Sequence, residues 1–177
     1  MATAYLKCRM PDVVIRPATR ADLPRLTEIY NYYVLKTPVT FDIEPYTVEK
    51  RAAWFEQFAE RGRHQLLVAE ENGLVLGYAG TMRWRPKAAY DTTVEATIYC
   101  TPEATGKGLG YRLYSALLEA LRDEDVHRVV AGYTLPNAGS AALHKRLGFR
   151  EVGVFTQVGR KFGKYWDVAW MERPVRI

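Results

Sequence analysis

Hydrophobic positions along the chain recur with two periods, and the switches between them predict the elements. Residues 13–18 read as a short strand ended at Pro17, and Thr19 follows as a helix cap with Asp22 in the first turn. Leu23, Leu26, Ile29, Tyr30, Tyr33 and Val34 then fall on one helical face that stops at Thr37-Pro38. Thr47 caps a second helix striped by Val48, Ala52, Phe55, Phe58 and Ala59, with Gly62 closing it. Residues 65–71 and 74–82 are strands joined by Asn72-Gly73, the strongest short hairpin signal. The period of two returns at residues 92–101. It gives way to Leu109, Leu113, Ala116, Leu117, Ala120 and Leu121 at helical spacing. A strand over 127–134, a short helix over 137–146 closed by Gly148, and strands over 149–158 and 165–173 complete the chain, with 159–163 as a basic turn.

The opening order, strand, helix, helix, then a hairpin, describes antiparallel pairing rather than a strictly alternating doubly wound sheet. The strand–helix–strand run over 92–134 adds one parallel crossover. An α/β (α+β) fold with a mixed sheet follows, in one domain over 12–177 behind a mobile tail at 1–11. The 177-residue length fits one domain, and 48% hydrophobic with 25% charged residues is a globular composition. Lys and Arg exceed Asp and Glu by 25 to 20, an excess that favours an anionic ligand without demanding nucleic acid. Cys8 and Cys100 form neither a disulfide framework nor a metal pattern, and the three histidines are scattered, so no metal is expected. With no signal peptide and no apolar run near ~20 residues, the chain reads as cytoplasmic, without a membrane or nucleic-acid partner.

Two stretches carry candidate chemistry. Thr105-Gly106-Lys107-Gly108-Leu109-Gly110 joins a strand to a helix. Its glycines let backbone amides approach a ligand, and the helix start concentrates unpaired donors, so a phosphate or pyrophosphate is the guest to expect. A Walker loop would place Ser or Thr after the lysine, where Gly108 stands. A dinucleotide loop would follow the first strand, whereas this one comes after roughly 100 residues of chain. The second stretch is the strand before the loop. Alternation puts Glu95, Thr97 and Tyr99 on one face and Ala96, Ile98 and Cys100 on the other. Arg85 and Lys87 lie in a polar loop with Trp84 and Tyr90, suited to a small anionic substrate. Phe41 sits in a loop over 39–46, apolar enough either to cap the core or to cover a substrate.

The element order and the glycine loop resemble the GNAT superfamily of acyl-CoA-dependent N-acyltransferases. Their [Q/R]-x-x-G-x-[G/A] loop follows the fourth strand, and residues 105–110 fit it except that Thr105 replaces Gln or Arg. Asn137-Ala138-Gly139-Ser140 with Leu143-His144-Lys145-Arg146-Leu147-Gly148-Phe149 looks like the family's following helix. Residues 89–95, 134–137 and 161–168 bring the likeness closer to the phosphinothricin and amino-acid N-acetyltransferase branch.

This resemblance implies the GNAT fold, about six to seven strands splayed between the fourth and fifth and about four flanking helices, as a homodimer. It implies acetyl-CoA as cosubstrate and a small-molecule amine acceptor, an amino acid or an analogue of the phosphinothricin or methionine sulfoximine type. An ammonium has no lone pair, so a general base is required near the acyl carbon, and Glu95 matches the family's base. Backbone groups of Ile98, Tyr99 and Cys100 would hold the pantetheine. The amides of Gly106, Lys107, Gly108, Leu109, Gly110 and Tyr111 would meet the pyrophosphate. His144, where many relatives carry a tyrosine, would donate a proton to the leaving thiolate, hold coenzyme or serve the helix. Asn137 would touch coenzyme or cap that helix. Arg85 and Lys87 would bind an acceptor carboxylate, with Phe41, Tyr90 and Thr97 around it. Acetylation of a protein N-terminus or a polyamine, and a non-catalytic acyl-CoA sensor, are the other readings. An acyl-cysteine route through Cys100 lacks an activating neighbour in the pattern.

Overall fold

The computed structural model describes residues 12–176; the tail expected over 1–11 lies outside them. Seven strands form one sheet: β1 (Val14–Pro17), β2 (Leu66–Glu71), β3 (Leu74–Arg83), β4 (Thr93–Cys100), β5 (Arg128–Thr134), β6 (Arg150–Lys161) and β7 (Lys164–Pro174). Four helices flank it: α1 (Leu23–Lys36), α2 (Val48–Phe55), α3 (Leu109–Ala120) and α4 (Ala138–Arg146). The strand order is β1-β2-β3-β4-β5-β7-β6, antiparallel throughout except for the parallel β4–β5 pair. The mixed sheet expected from the sequence is therefore present.

Each face of the sheet carries its own apolar cluster. Val94, Ala96 and Cys100 of β4 join Leu109, Leu113, Tyr114 and Leu117 of α3 beneath one face. Each fully buried leucine there contributes roughly 1.5–3 kcal/mol of transfer free energy. Leu26 and Ile29 of α1 meet Leu66, Val68 and Tyr78 on the other, with Tyr33, Trp54, Phe58 and Tyr99 packed around them. The alternation of β4 is thus what separates the two layers. No helix among the described residues is long and apolar enough to cross a membrane.

Two boundaries differ by several residues from the expected ones. The helix capped by Thr47, whose side chain accepts from the Lys50 amide at 3.3 Å, stops at Phe55 and does not reach Ala59. The Phe58 amide folds back to the Phe55 carbonyl, and its ring meets Trp54 edge-on at 5.0 Å. The apolar stripe survives after the helix has ended. Residues 159–161 belong to β6 rather than to a turn, and the hairpin closes on Phe162 and Gly163, both at positive φ. Register shifts at Glu151/Gly153 and Phe155/Gly159 hid this long strand from a strict period of two. Within the 83–91 loop, Ala88–Tyr90 forms a single 3-10 turn.

Candidate active site

The site begins where two strands part. β4 and β5 pair only from Thr93/Arg128 to Glu95/Val130. Beyond that, β4 continues to Cys100 against β3 and β5 to Thr134 against β7. Glu95 stands at the apex of the resulting V. The Thr92 carbonyl accepts from the His127 and Arg128 amides at 2.8 and 3.2 Å, whereas the Thr101 amide donates to the Leu76 carbonyl of β3 at 2.8 Å. Backbone groups alternate in direction along a strand. Ala96, Ile98 and Cys100 consequently turn theirs into the V, and the Cys100 carbonyl is already held there by the Tyr33 hydroxyl. The amide and carbonyl of Tyr99 face β3, so its backbone does not open into the V as the pantetheine contact expected of it would need.

A cavity of about 560 Å³ fills the V, bounded by β4 from Ala96 to Cys100, the glycine loop, Gly132 and Tyr133 of β5, and one side of α4. Thr105, Gly106, Gly108, Gly110 and Tyr111 line it, as does Thr97. Gly106 and Gly108 adopt φ of +75° and +86°, a left-handed conformation that L side chains rarely take. Gly108 is the cap of α3, and the first intrahelical bond runs from the Arg112 amide to the Gly108 carbonyl at 3.2 Å. The amides of Leu109, Gly110 and Tyr111 precede it and lack helical acceptors, so donors and positive dipole gather at the cavity wall. Leu109 is 1% exposed in the core and does not itself line the cavity. Thr105 turns its hydroxyl back to the Pro102 carbonyl at 2.7 Å. Lys107 is exposed and does not line the cavity.

Half-buried Glu95 has no ion pair or hydrogen bond to a described residue, and burial pushes its carboxyl above the ordinary glutamate pKa. A carboxyl raised in this way, at the point where two strands part, holds its proton to higher pH than an ordinary glutamate. Residues 26–149 match the model of the acetyltransferase (GNAT) family. The chain belongs to the GNAT acetyltransferase family.

Its relatives extend the match over nearly the whole chain. It is 51% identical over 166 residues to a phosphinothricin N-acetyltransferase of Streptomyces coelicolor, covering 93% of this chain and 97% of that one. It is 40% identical to an L-methionine sulfoximine/L-methionine sulfone acetyltransferase of Pseudomonas aeruginosa, over 89% and 92% of the two chains. The yncA acetyltransferase of Salmonella typhimurium, solved with acetyl-CoA, superposes with a TM-score of 0.86 at 38% identity, over 93% and 94%. The chain is accordingly an N-acetyltransferase with the GNAT fold.

His144 is 3% exposed among Tyr114, Tyr133 and Phe149, stacked on Tyr133 at 5.6 Å between ring centroids. Its Nδ1 lies 2.8 Å from the Ser140 carbonyl, which can only accept, so the proton resides on Nδ1. Nε2 then carries a lone pair towards the Tyr114 hydroxyl at 3.4 Å. Burial lowers the His144 pKa, favouring the neutral ring, against the opposing hydrogen bond to Ser140. In that tautomer Nε2 has no proton to give a leaving thiolate, so the donor role sketched for His144 lacks support in its bonding. Asn137 caps α4, its side-chain oxygen accepting from the Ser140 amide at 3.0 Å, and it also lines the cavity.

The remaining expected site residues stand apart from this cavity. Phe41 packs on β6 so closely that a Cβ at Gly159 would lie 2.1 Å from its ring. Arg85 stacks over Trp84 at 4.7 Å, and Tyr90 meets the same ring edge-on at 5.2 Å. Arg85, Lys87 and Tyr90 are all exposed. Cavity residues that the sequence reading missed include Tyr33, Tyr133 and Arg146, whose guanidinium lies 3.8 Å over the Tyr111 ring. Arg146 follows Leu143 and Ser140 at helical spacing, a signal that was present; Tyr33 and Tyr133 arrive through tertiary folding.

Cys100 is buried, and that burial pushes its thiol up to about 12, leaving no thiolate for acyl transfer at neutral pH. Cys100→Ser is expected to retain turnover in a steady-state assay. Loss of activity with the coenzyme site intact would reopen the acyl-cysteine route.

Proposed function

We propose that this acetyltransferase moves the acetyl group of acetyl-CoA to the α-amine of a small amino acid or analogue, of the phosphinothricin or methionine sulfoximine type, by direct attack with Glu95 as general base. The observation that carries this reading is the unpaired, half-buried Glu95 at the apex of the β4–β5 cleft. The relatives named for those two acceptor types supply the substrate class.

The chain's own groups fit the cosubstrate. Gly106, Gly108 and the first amides of α3 suit a pyrophosphate, with Arg146 as a cation on the cavity wall and Lys107 exposed on the same loop. The open backbone edge at Ala96, Ile98 and Cys100 suits the pantetheine amides as an added strand. The thioester then points towards Glu95. In this reading Glu95 takes the ammonium proton directly or through a water, and the freed amine attacks the acyl carbon. His144 acts through its shape and its hydrogen bonds rather than as the acid.

The reading also carries a cytoplasmic homodimer, with residues 12–177 as one domain. Support for self-association comes from the sheet edge: Val152, Phe155, Val158, Phe162 and Tyr165 of the β6–β7 hairpin are each more than half exposed. Such an apolar edge strand is a template for pairing.

Coenzyme A release measured over the twenty amino acids, phosphinothricin, methionine sulfoximine, a polyamine and an N-terminal peptide tests the acceptor. Turnover with free amino acids or the two analogues is expected. Turnover confined to the polyamine or peptide would contradict it, and coenzyme binding with no acceptor used would identify a sensor.

A further inference from the structure

Tyr33 of α1 and Val39 of the loop behind it both line the cavity. Val39 lies in a stretch without helix or strand, between Lys36 and Val48. A segment of that kind holds a fixed wall only if something outside it anchors it. Lys161, the last residue of β6, is placed to do so. Its side chain is buried, 4% exposed. Nζ donates to the Thr40 carbonyl at 2.8 Å and to the Tyr33 carbonyl at 3.4 Å, bonding both ends of the 33–40 segment. The Tyr33 carbonyl belongs to the last turn of α1, where the helix dipole favours a cation. The Thr37 amide and hydroxyl reach the same carbonyl at 3.2 and 3.0 Å. No carboxylate among the described residues pairs with the ammonium. Asp42 acts on it from farther off and takes the Tyr30 hydroxyl at 2.6 Å.

The rest of the hairpin supports the same anchor. Two residues back on the same face of β6, Gly159 leaves the space into which the Phe41 ring packs. The Trp166 ring nitrogen donates to the Lys161 carbonyl at 2.9 Å, fixing the end of the strand. Burying an ammonium without a carboxylate costs desolvation that two carbonyls offset only in part. What it secures is the position of residues 33–40. From there the contacts run into the site. Tyr33 donates its hydroxyl to the Cys100 carbonyl, and its ring meets Tyr99 at 5.3 Å. Resting on the reading that pantetheine runs along Ala96, Ile98 and Cys100, we propose that Lys161 is a positioning residue for the coenzyme, acting through Tyr33 and Val39. The lysine does not line the cavity itself; it sets the wall against which pantetheine lies.

The test compares coenzyme A affinity by calorimetry, melting temperature and steady-state constants in the full chain. Lys161→Met is expected to weaken coenzyme affinity and raise KM for acetyl-CoA about fivefold, the scale of one lost hydrogen bond. kcat at saturating coenzyme should hold, since Glu95 lies at the apex of the cleft, away from Cys100. Lys161→Arg, which keeps the charge, should recover part of the affinity. Tyr33→Phe should give a similar loss, and the double variant should be no weaker than Lys161→Met alone. A lysine that served only the fold would lower the melting temperature and leave the coenzyme affinity of the folded protein unchanged. That result, or losses that add in the double variant, would overturn the proposal. Should Lys161→Met fail to fold, Lys161→Gln keeps a neutral donor on a shorter arm. Weakened coenzyme affinity there supports the role, and unchanged affinity refutes it. Val39→Trp separates the proposal from the reading beneath it, because its ring would fill the space beside the wall. Normal coenzyme affinity in that variant would mean that pantetheine runs elsewhere, and the proposal fails with that reading. Weak affinity in Val39→Trp with normal affinity in Lys161→Met would leave the coenzyme path standing and remove only the role of Lys161.

Discussion

Replacing Glu95 with Gln is expected to lower kcat by roughly 10²–10⁴, the usual contribution of a positioned general base, while coenzyme affinity measured by calorimetry stays unchanged. The amide keeps the shape and most of the polarity of the side chain, so the cavity walls should be undisturbed. Stability should move the other way. Burial raises the Glu95 pKa in the fold above its unfolded value. For a group shifted in that sense, the stabilising share is present below the unfolded pKa and is lost as pH rises through the folded one. Above the folded pKa the side chain is charged in surroundings where burial disfavours charge. Glu95→Gln should therefore unfold at the same or a higher temperature near pH 7, with the difference disappearing in acid. A variant that lost activity by unfolding would show the opposite.

The second large effect is expected at Gly108. A β-branched side chain at φ +86° carries a backbone strain of roughly 1–2 kcal/mol. Nothing in the protein lies within 4 Å of a Cβ there, so the strain is conformational rather than a clash. Relief requires the cap of α3 to shift, and with it the amides of Leu109, Gly110 and Tyr111. Gly108→Val should raise KM for acetyl-CoA roughly tenfold or more, each 1.4 kcal/mol being a factor of ten. kcat at saturating coenzyme should be much less affected, since Glu95 lies on a different element. Unaltered coenzyme affinity would show that the loop does not cradle the pyrophosphate.

How much of this was legible in the sequence follows from how local each feature is. The strand with Glu95, the glycine loop and α3 are encoded within residues 93–120, where alternation gives way to helical spacing at a point marked by glycines. The boundaries that moved lie where tertiary contacts override local pattern. α2 ends at Phe55 although Phe58 keeps to the stripe, because packing against Trp54 and the sheet requires the ring but not the helix. β6 runs through two register shifts to Lys161, which a strict period of two cannot follow. The site divides in the same way. Gly106, Gly108, Gly110, Tyr111, Thr97, Asn137 and His144 were named from short motifs and line the cavity. Tyr33 and Tyr133 come from opposite ends of the fold and meet there only through the sheet. Arg85, Lys87 and Tyr90, named for an acceptor, are exposed in a loop outside this cavity.

The most direct test of direct attack through Glu95 is the pH dependence of kcat/KM for the amine acceptor in the unaltered enzyme and in Glu95→Gln. The unaltered enzyme should rise towards alkaline pH along a limb whose apparent pKa lies above that of an ordinary glutamate. In the variant the rate should fall and that limb should be gone. Identical turnover and an identical profile in the two proteins would contradict the assignment of Glu95 as the base.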